Sequence, residues 1–441
     1  MKILMLPCDY LPHSVGGREV YTHGLATRLL ARGFDVRIAF HVCYGRPEPG
    51  FYPYENVPVH ALPPLPVPTR ERVYSCRNEA VPGYRELLNE FKPDIVHMHD
   101  FSYGVSLTHL ELAKRAGART VMTYHSPGQS CLQRSLLYKG RTPCDGRIDL
   151  QRCTACRLEC SGAPPPLAYL MSALDFSFLA PLAFGPARRL VTAKRMTSAF
   201  QDAWDSLCQL VDRIHVHANW ARELLLLNKA PSEMIRMFRT GMALQDNGRL
   251  PNQSPWQRPR DTISLRVIYW GRIDPVKGVH TLVEAVLQLP PDIKVEVLIV
   301  GGGFHDQESH KRELQEGAKG DRRFTFVGRI SPEQVLSLAR TADICVVPSI
   351  WLETGPLTVL EAWAAGLPVI GSRLGGIAEL VRDGIDGMLF PPGDVTALSR
   401  ILHDLALDRS KLELLRRQVP KPRTMDDVCA DMIKLYRELV G

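Results

Sequence analysis

Residues 344–370 read ICVVPSIWLETGPLTVLEAWAAGLPVI, and their order sets the fold class. Ile344–Val347 is a short apolar run rich in valine, the pattern of a strand buried on both faces. A Gly355-Pro356 turn follows, with Pro356 at a natural first helical position. Leu357–Ala365 then carries a helical pattern, and Pro368–Ile370 is a second apolar run. Strand, helix and strand in this spacing predict a parallel crossover. Such sheets are covered on both faces and gather their binding loops at the carboxyl ends of the strands.

The same grammar extends outward. Strands are predicted at Leu265–Trp270, Val295–Val300 and Phe324–Val327, with helices at Val279–Leu287 and Pro332–Ala339. Before them, residues 246–262 (DNGRLPNQSPWQRPRDT) lose the alternation and carry three prolines, as a linker does. The chain opens with a strand at Lys2–Leu6, a Gly16-Gly17 loop, a helix over Arg18–Ala31 stopped by Gly33, and a strand at Val36–Phe40. Further strands are expected at Ile95–His99, Thr120–Tyr124 and Arg213–His217. At 441 residues the chain exceeds one ordinary core. The expected organisation is α/β, with two Rossmann-like doubly wound domains facing a cleft. The first spans 1–245, the linker 246–262 and the second 263–423, while a helix over 424–441 returns to the first.

Composition narrows the class. Hydrophobic residues make up 45% and charged residues 23%, as in globular proteins. No uninterrupted apolar run reaches 18 residues, and the apolar run at Met1–Pro7 is too short for a signal-peptide core, so the cytoplasm is the expected compartment, with the inner membrane face as a variant. Net charge is +7, and residues 101–200 alone carry a surplus of +8. A basic region suits nucleic acid, anionic lipid or a phosphorylated substrate. With no arginine-rich helix, zinc-finger spacing or aromatic RNA-binding motif, nucleic acid ranks last.

Glu353 and Glu361 flank the start of the Leu357 helix. First-turn N–H groups at Leu357 and Thr358 lack intrahelical acceptors, and with the helix dipole they suit a diphosphate. Carboxylates only accept hydrogen bonds, so the two glutamates suit sugar and ribose hydroxyls. In WGRIDPVKG (270–278), Arg272 and Lys277 can reach one anion and stabilise a leaving diphosphate. The blander readings are two solvated glutamates and a surface ion pair. Gly16-Gly17-Arg18-Glu19 at the first strand-to-helix turn permits close approach of a phosphate or sugar, or is simply a tight turn. The absence of Gly-x-Gly-x-x-Gly argues against a dinucleotide dehydrogenase.

These motifs resemble glycosyltransferase family 4, a retaining family of GT-B fold whose mark is Glu-x7-Glu, the spacing of Glu353 and Glu361. The resemblance continues through Ala364–Ile370, Gly375–Leu380, Asp383–Gly387 and Pro391–Asp394. It implies a glycosyltransferase moving sugar from a nucleoside-diphosphate sugar to a hydroxyl of a carbohydrate or lipid-linked acceptor, in polysaccharide or glycolipid synthesis. By similarity Glu361 would hold the donor ribose and Glu353 the transferred sugar. Gly355, Pro356, Leu357 and Thr358 would take the diphosphate with Arg272 and Lys277. Gly16 and Gly17 would lie on the donor side, as would Ile299–Gly303, and His125 beside the sugar and acceptor. One departure is Gly355-Pro356-Leu357 where many relatives have Phe-Gly-Leu; a Trp-x-Glu-x-x-Pro subgroup carries this version. His125 could equally be structural, as His97 and His99 are read. No Asp-x-Asp occurs, and cationic side chains can replace a bridging metal, so no catalytic metal is expected. Two rivals are a non-catalytic nucleotide-sugar-binding subunit and a GT-B nucleotide-sugar epimerase.

Two features stand apart. Five of the eleven cysteines fall in 131–160. Cys131, Cys144, Cys153 and Cys156, with Cys160 a further candidate, read either as a structural zinc site or as reduced thiols, with iron–sulfur a poor third. Residues 167–184, LAYLMSALDFSFLAPLAF, read as a core helix or as an interfacial segment backed by Arg188, Arg189, Lys194 and Arg195. In the second case an anionic membrane surface is a partner.

Overall fold

The computed structural model describes residues 1–43, 47–242, 264–302 and 308–441. The expected linker at 246–262 lies outside the described residues, as does Gly303. The chain divides into two compact units: Met1–Arg239 with Met425–Gly441, and Thr240–Thr424.

Among the described residues, unit 1 holds ten strands: β1 (Lys2–Leu6), β2 (Asp35–His41), β3 (Gly50–Tyr54), β4 (Val57–Leu62), β5 (Ile95–Met98), β6 (Arg119–Tyr124), β7 (Leu137–Tyr138), β8 (Thr142–Pro143), β9 (Arg213–Val216) and β10 (Ile235–Met237). Eight form one sheet in the order β10-β9-β6-β5-β1-β2-β4-β3, and β7 pairs with β8 alone. Every pairing in the large sheet is parallel except β3 with β4 at the edge. The chain leaves β1 in one direction toward β2 and later returns to add β5 on the other side. Loops after β1 and β5 therefore border the switch point where open α/β sheets bind ligands. The Met425–Val440 helix completes the unit. Its Asp426 takes ion pairs from Arg28 and Arg32 of the Gly17–Ala31 helix, at 3.0 and 2.7 Å.

Among its described residues, unit 2 has six parallel strands: β11 (Leu265–Trp270), β12 (Val295–Val300), β13 (Phe324–Gly328), β14 (Ile344–Val347), β15 (Val369–Ser372) and β16 (Gly387–Phe390). Their order is β13-β12-β11-β14-β15-β16. Period-2 geometry explains why these strands are apolar throughout. Leu265, Val267 and Tyr269 of β11 enter one core with Ile344 and Val346 of β14, while Ile268 and Trp270 enter the opposite core with Cys345 and Val347. At the base of β14, fully buried Asp343 accepts from Arg409 and Arg416 at 2.9 and 2.8 Å. This network ties the Arg409–Arg417 helix to the strand.

The apolar stretch 167–184 corrects one expectation. It is not a core helix. It breaks into the Pro165–Ala173 helix and a 3-10 turn at Ser177–Leu179, because Asp175 accepts from the Ser177 N–H (2.9 Å) and turns the chain. Ala168 and Met171 pack inward against Leu158 and Ala193. Tyr169, Leu170, Leu174, Phe178, Leu182 and Phe184 face solvent, the last two at 79% exposure. Among the described residues, no helix is long and apolar enough to cross a membrane.

Candidate active site

In unit 2 the switch point falls between β11 and β14, and the loops leaving these two strands carry both motifs. The β11 loop turns at Gly271, makes a 3-10 turn over Pro275–Lys277 and enters the Val279–Leu287 helix through Gly278. Asp274 caps the turn by accepting from the Val276 N–H (3.0 Å). Tyr269 donates its hydroxyl to the Arg272 carbonyl (2.6 Å), which fixes the loop base. The Ile350 N–H donates to the Val276 carbonyl (2.9 Å), joining the two loops. They lie so close that a Cβ on Gly278, at φ +68°, would stand 1.9 Å from the Pro348 carbonyl oxygen. Only glycine fits there.

Side chains reinforce the backbone contact. Lys277 Nζ donates to Glu353 Oε1 at 2.6 Å, and the same oxygen accepts from Ser349 Oγ and Trp351 Nε1, each at 2.9 Å. The ammonium also lies 5.2 Å from the Trp351 ring centre. Burial pushes the Glu353 carboxyl up, but the Lys277 charge and these donors outweigh it and hold the group below its ordinary value. Glu361 behaves oppositely. Its Oε2 accepts from the Trp270 indole at 2.6 Å, yet burial dominates and raises its pKa. A further hydroxyl donor would relieve that penalty. Arg272 lies 3.5 Å from Asp274 with its side chain 41% exposed.

The Leu357–Ala364 helix starts one residue later than read from sequence. Pro356 is its N-cap, Leu357 and Thr358 form its first turn, and Gly355 stands before the cap. Gly375-Gly376 buttresses Glu353 from behind: the Gly376 N–H donates to the Glu353 carbonyl at 2.7 Å, the distance at which a Cβ on Gly376 would meet that oxygen.

Unit 1 gathers a different chemistry at its carboxyl edge. Gly16 caps the Gly17–Ala31 helix, and a Cβ there would stand 2.7 Å from Glu19 Oε2. Arg18 spans from Glu19 (2.9 Å) to Asp100 after β5 (3.2 Å), linking the two switch-point loops. Sequence reading gave Arg18 no role; its signal was a cation inside the glycine turn. His125, after β6, meets His99 Nδ1 through Nε2 at 3.1 Å and stacks on that ring. Tyr21 and His217 complete its surroundings. His97 is held between Tyr436 (2.6 Å) and Thr123 (2.7 Å), the structural role expected of it. Cys131, Cys144, Cys153 and Cys156 line a separate small cavity of unit 1, and all are free of disulfides.

Comparison with known proteins gives the class. The family described as Glycosyl transferases group 1 matches residues 253–421, and Glycosyltransferase Family 4 matches residues 15–155. Both domains are present, and the chain is a glycosyltransferase of GT-B fold. An uncharacterised glycosyltransferase of Methanocaldococcus jannaschii is 22% identical over the whole of both chains. D-inositol 3-phosphate glycosyltransferase of Corynebacterium glutamicum is 31% identical over 186 residues, which cover 40% of this chain and 44% of that relative. In fold, the chain is similar to Anabaena HepE in complex with UDP and glucose: TM-score 0.62, 15% identity, covering 99% of this chain and 100% of that one. Sucrose-phosphate synthase from Thermosynechococcus elongatus gives a TM-score of 0.64 at 21% identity, covering 99% and 98%.

The histidines of unit 1 make stability pH-dependent. Burial lowers the pKa of His97, His99, His109 and His125, and of His41 to about 4. Each therefore binds a proton more readily unfolded, so stability is full above the unfolded value near ~6.5 and declines as pH falls below it. Raised carboxyls such as Glu361 and Asp9 act in the opposite sense, but they are outnumbered. We expect the urea midpoint to hold from pH 8 to 7 and to fall from pH 6.5 to 5. A flat profile across that range would contradict neutral burial of this cluster.

Proposed function

We propose that unit 2 binds a nucleoside-diphosphate sugar at the β11–β14 switch point and that the chain transfers the sugar with retention of configuration. The observation that carries this reading is the Lys277–Glu353 contact, which sets a cation and a carboxylate side by side at the start of the Leu357–Ala364 helix. Lys277 and Arg272 take the diphosphate together with the amides of Leu357 and Thr358 behind Gly355 and Pro356. Glu361, raised by burial, accepts from the ribose hydroxyls. Glu353 turns its remaining acceptor capacity toward the transferred sugar. Negative charge grows on the diphosphate as the glycosidic bond breaks, so fixed cations favour the transition state over the ground state. No metal is required for this step. Front-side attack, with the leaving phosphate oxygen taking the acceptor proton, leaves neither glutamate as a nucleophile. UDP, UDP-glucose and ADP occupy proteins of similar fold, which supports a nucleotide donor.

On the acceptor side, His125 lies at the carboxyl edge of unit 1, where a neutral imidazole can hydrogen-bond an acceptor hydroxyl, while Gly16 and Gly17 at the same edge are assigned to the donor side. Exposed Phe178, Leu182 and Phe184 precede exposed Arg188 and Arg189 directly in the chain. Apolar side chains beside cations suit an anionic membrane and hence a lipid-linked acceptor in polysaccharide or glycolipid synthesis, each cation adding about 1 kcal/mol near the surface.

Two outcomes are expected. Arg272→Ala and Glu361→Ala each lower turnover with the preferred donor by roughly 30- to 1,000-fold, the equivalent of about 2–4 kcal/mol in the transition state, with the melting temperature little changed. Turnover near wild type in both would remove the site assignment; donor conversion without any acceptor would favour the epimerase. Vesicle co-sedimentation should require anionic lipid, weaken in high salt and drop for an Arg188→Glu, Arg189→Glu double variant. Indifference to anionic vesicles at low salt would remove the membrane reading and leave the transferase reading intact.

A further inference from the structure

The insert of unit 1 between His125 and the Ala193–Leu210 helix carries a chemistry that sugar transfer does not use. Cys131, Cys144, Cys153 and Cys156 come from three different pieces of chain: the turn after β6, the loop after β8, and the Leu150–Cys160 helix. All four line one cavity of about 30 Å³, together with Leu136, Leu137 and Phe200. A space of that size holds one water-sized particle, and so one ion, but no multi-metal cluster.

The sulfurs meet both donors and acceptors: Cys144 Sγ lies 3.7 Å from Asp145 Oδ1 and Cys153 Sγ 3.7 Å from the Arg147 carbonyl. The Lys139 N–H donates to Cys156 Sγ at 3.1 Å, and the Gly146 and Asp149 N–H groups donate to Cys144 Sγ and Cys153 Sγ, each at 3.5 Å. Three backbone amides aimed at three sulfurs would stabilise those sulfurs once they are charged. Arg152 places its guanidinium 3.8 Å from Cys144 Sγ, and Arg147 also lines the cavity. Arg152 also pairs with the Asp145 carboxylate (3.0 Å), so its charge is shared between that group and the cavity.

We propose that Cys131, Cys144, Cys153 and Cys156 bind one structural zinc ion. Each ligand gives up its proton to solvent as its bond to zinc forms, and no electron moves. Among the described residues no three potential ligands stand in ready coordination geometry, so binding draws the thiols inward about their side-chain torsions. The loop backbone is already held for this. Asn228 accepts from the Ile148 N–H (2.7 Å) and donates to the Gly146 carbonyl (2.9 Å), and Thr154 of the Leu150 helix bonds Thr197 (2.8 Å). The ion would close the insert onto the turn that starts at His125, where Gln129 accepts from the His125 N–H (2.7 Å) and Ser130 bonds Tyr124 (2.6 Å). Its role is to position that turn. Cys160 hydrogen-bonds Cys156 but is exposed and outside the cavity lining, and the proposal leaves it out of the ligand set.

Elemental analysis of the full chain, purified without a metal-affinity tag, tests this. We expect about one zinc per chain, released stoichiometrically when an organomercurial titrates the thiols. Cys153→Ser and Cys156→Ser should each lose most of the zinc, and Cys160→Ser should retain it. If the ligand variants fail to fold, zinc content and thiol-dependent release from the wild-type protein decide. Wild-type protein without zinc whose four thiols react freely in the native state would overturn the proposal. So would iron in place of zinc, or a disulfide between any two of the four.

Discussion

The organisation of unit 2 depends on the reversal of strand order between β11 and β14. On either side of that point the covering helices run away from each other, so the two loops face one another with no helix between them. Backbone approach is then limited only by side-chain volume. Gly278 removes that limit against Pro348, and Gly376 removes it against Glu353. With the loops in contact, residues 76 positions apart form the Lys277–Glu353 pair. The cation belongs to one loop and the carboxylate to the other, so the pair needs both in place.

The two glutamates illustrate how environment divides one functional group into two kinds. Glu353 is surrounded by donors, and its charge is already satisfied. Glu361 has burial as its dominant influence, offset by the Trp270 indole. A buried carboxylate held in this way gains from any hydroxyl that arrives, whereas Glu353 must share donors it already has. Unit 1 gathers stacked imidazoles, Tyr21 and a guanidinium paired with Glu19 and Asp100 at the equivalent edge of its sheet. The loop ends of the two sheets thus differ in their side-chain chemistry.

Fold class was legible because strands buried on both faces have little compositional freedom. The β11 and β12 spans coincide with the apolar runs that marked them. Edge strands were not legible. β3 carries Pro53, pairs antiparallel and is largely exposed, so it lacks both the apolar run and the alternation. β16 is four residues long and begins at a glycine. Glu353 and Lys277 could be named from their motifs, but that they touch is a property of strand order. Trp270 as the partner of Glu361 had no local signal, since an indole on a buried strand reads as core. The segment 167–184 misled because hydropathy does not report burial: Asp175 breaks the helix, and the two halves keep only one face inside.

The central claim is that a nucleoside diphosphate is held by side-chain cations and helix amides without a bridging metal. Calorimetric titration of nucleoside mono- and diphosphates into the wild-type chain, with and without a brief EDTA treatment, tests it most directly. We expect one diphosphate to bind with affinity unchanged by EDTA and at least tenfold above its monophosphate, about 1.4 kcal/mol or more. Equal affinity for the two, or binding that appears only with Mg²⁺ or Mn²⁺, would contradict the account.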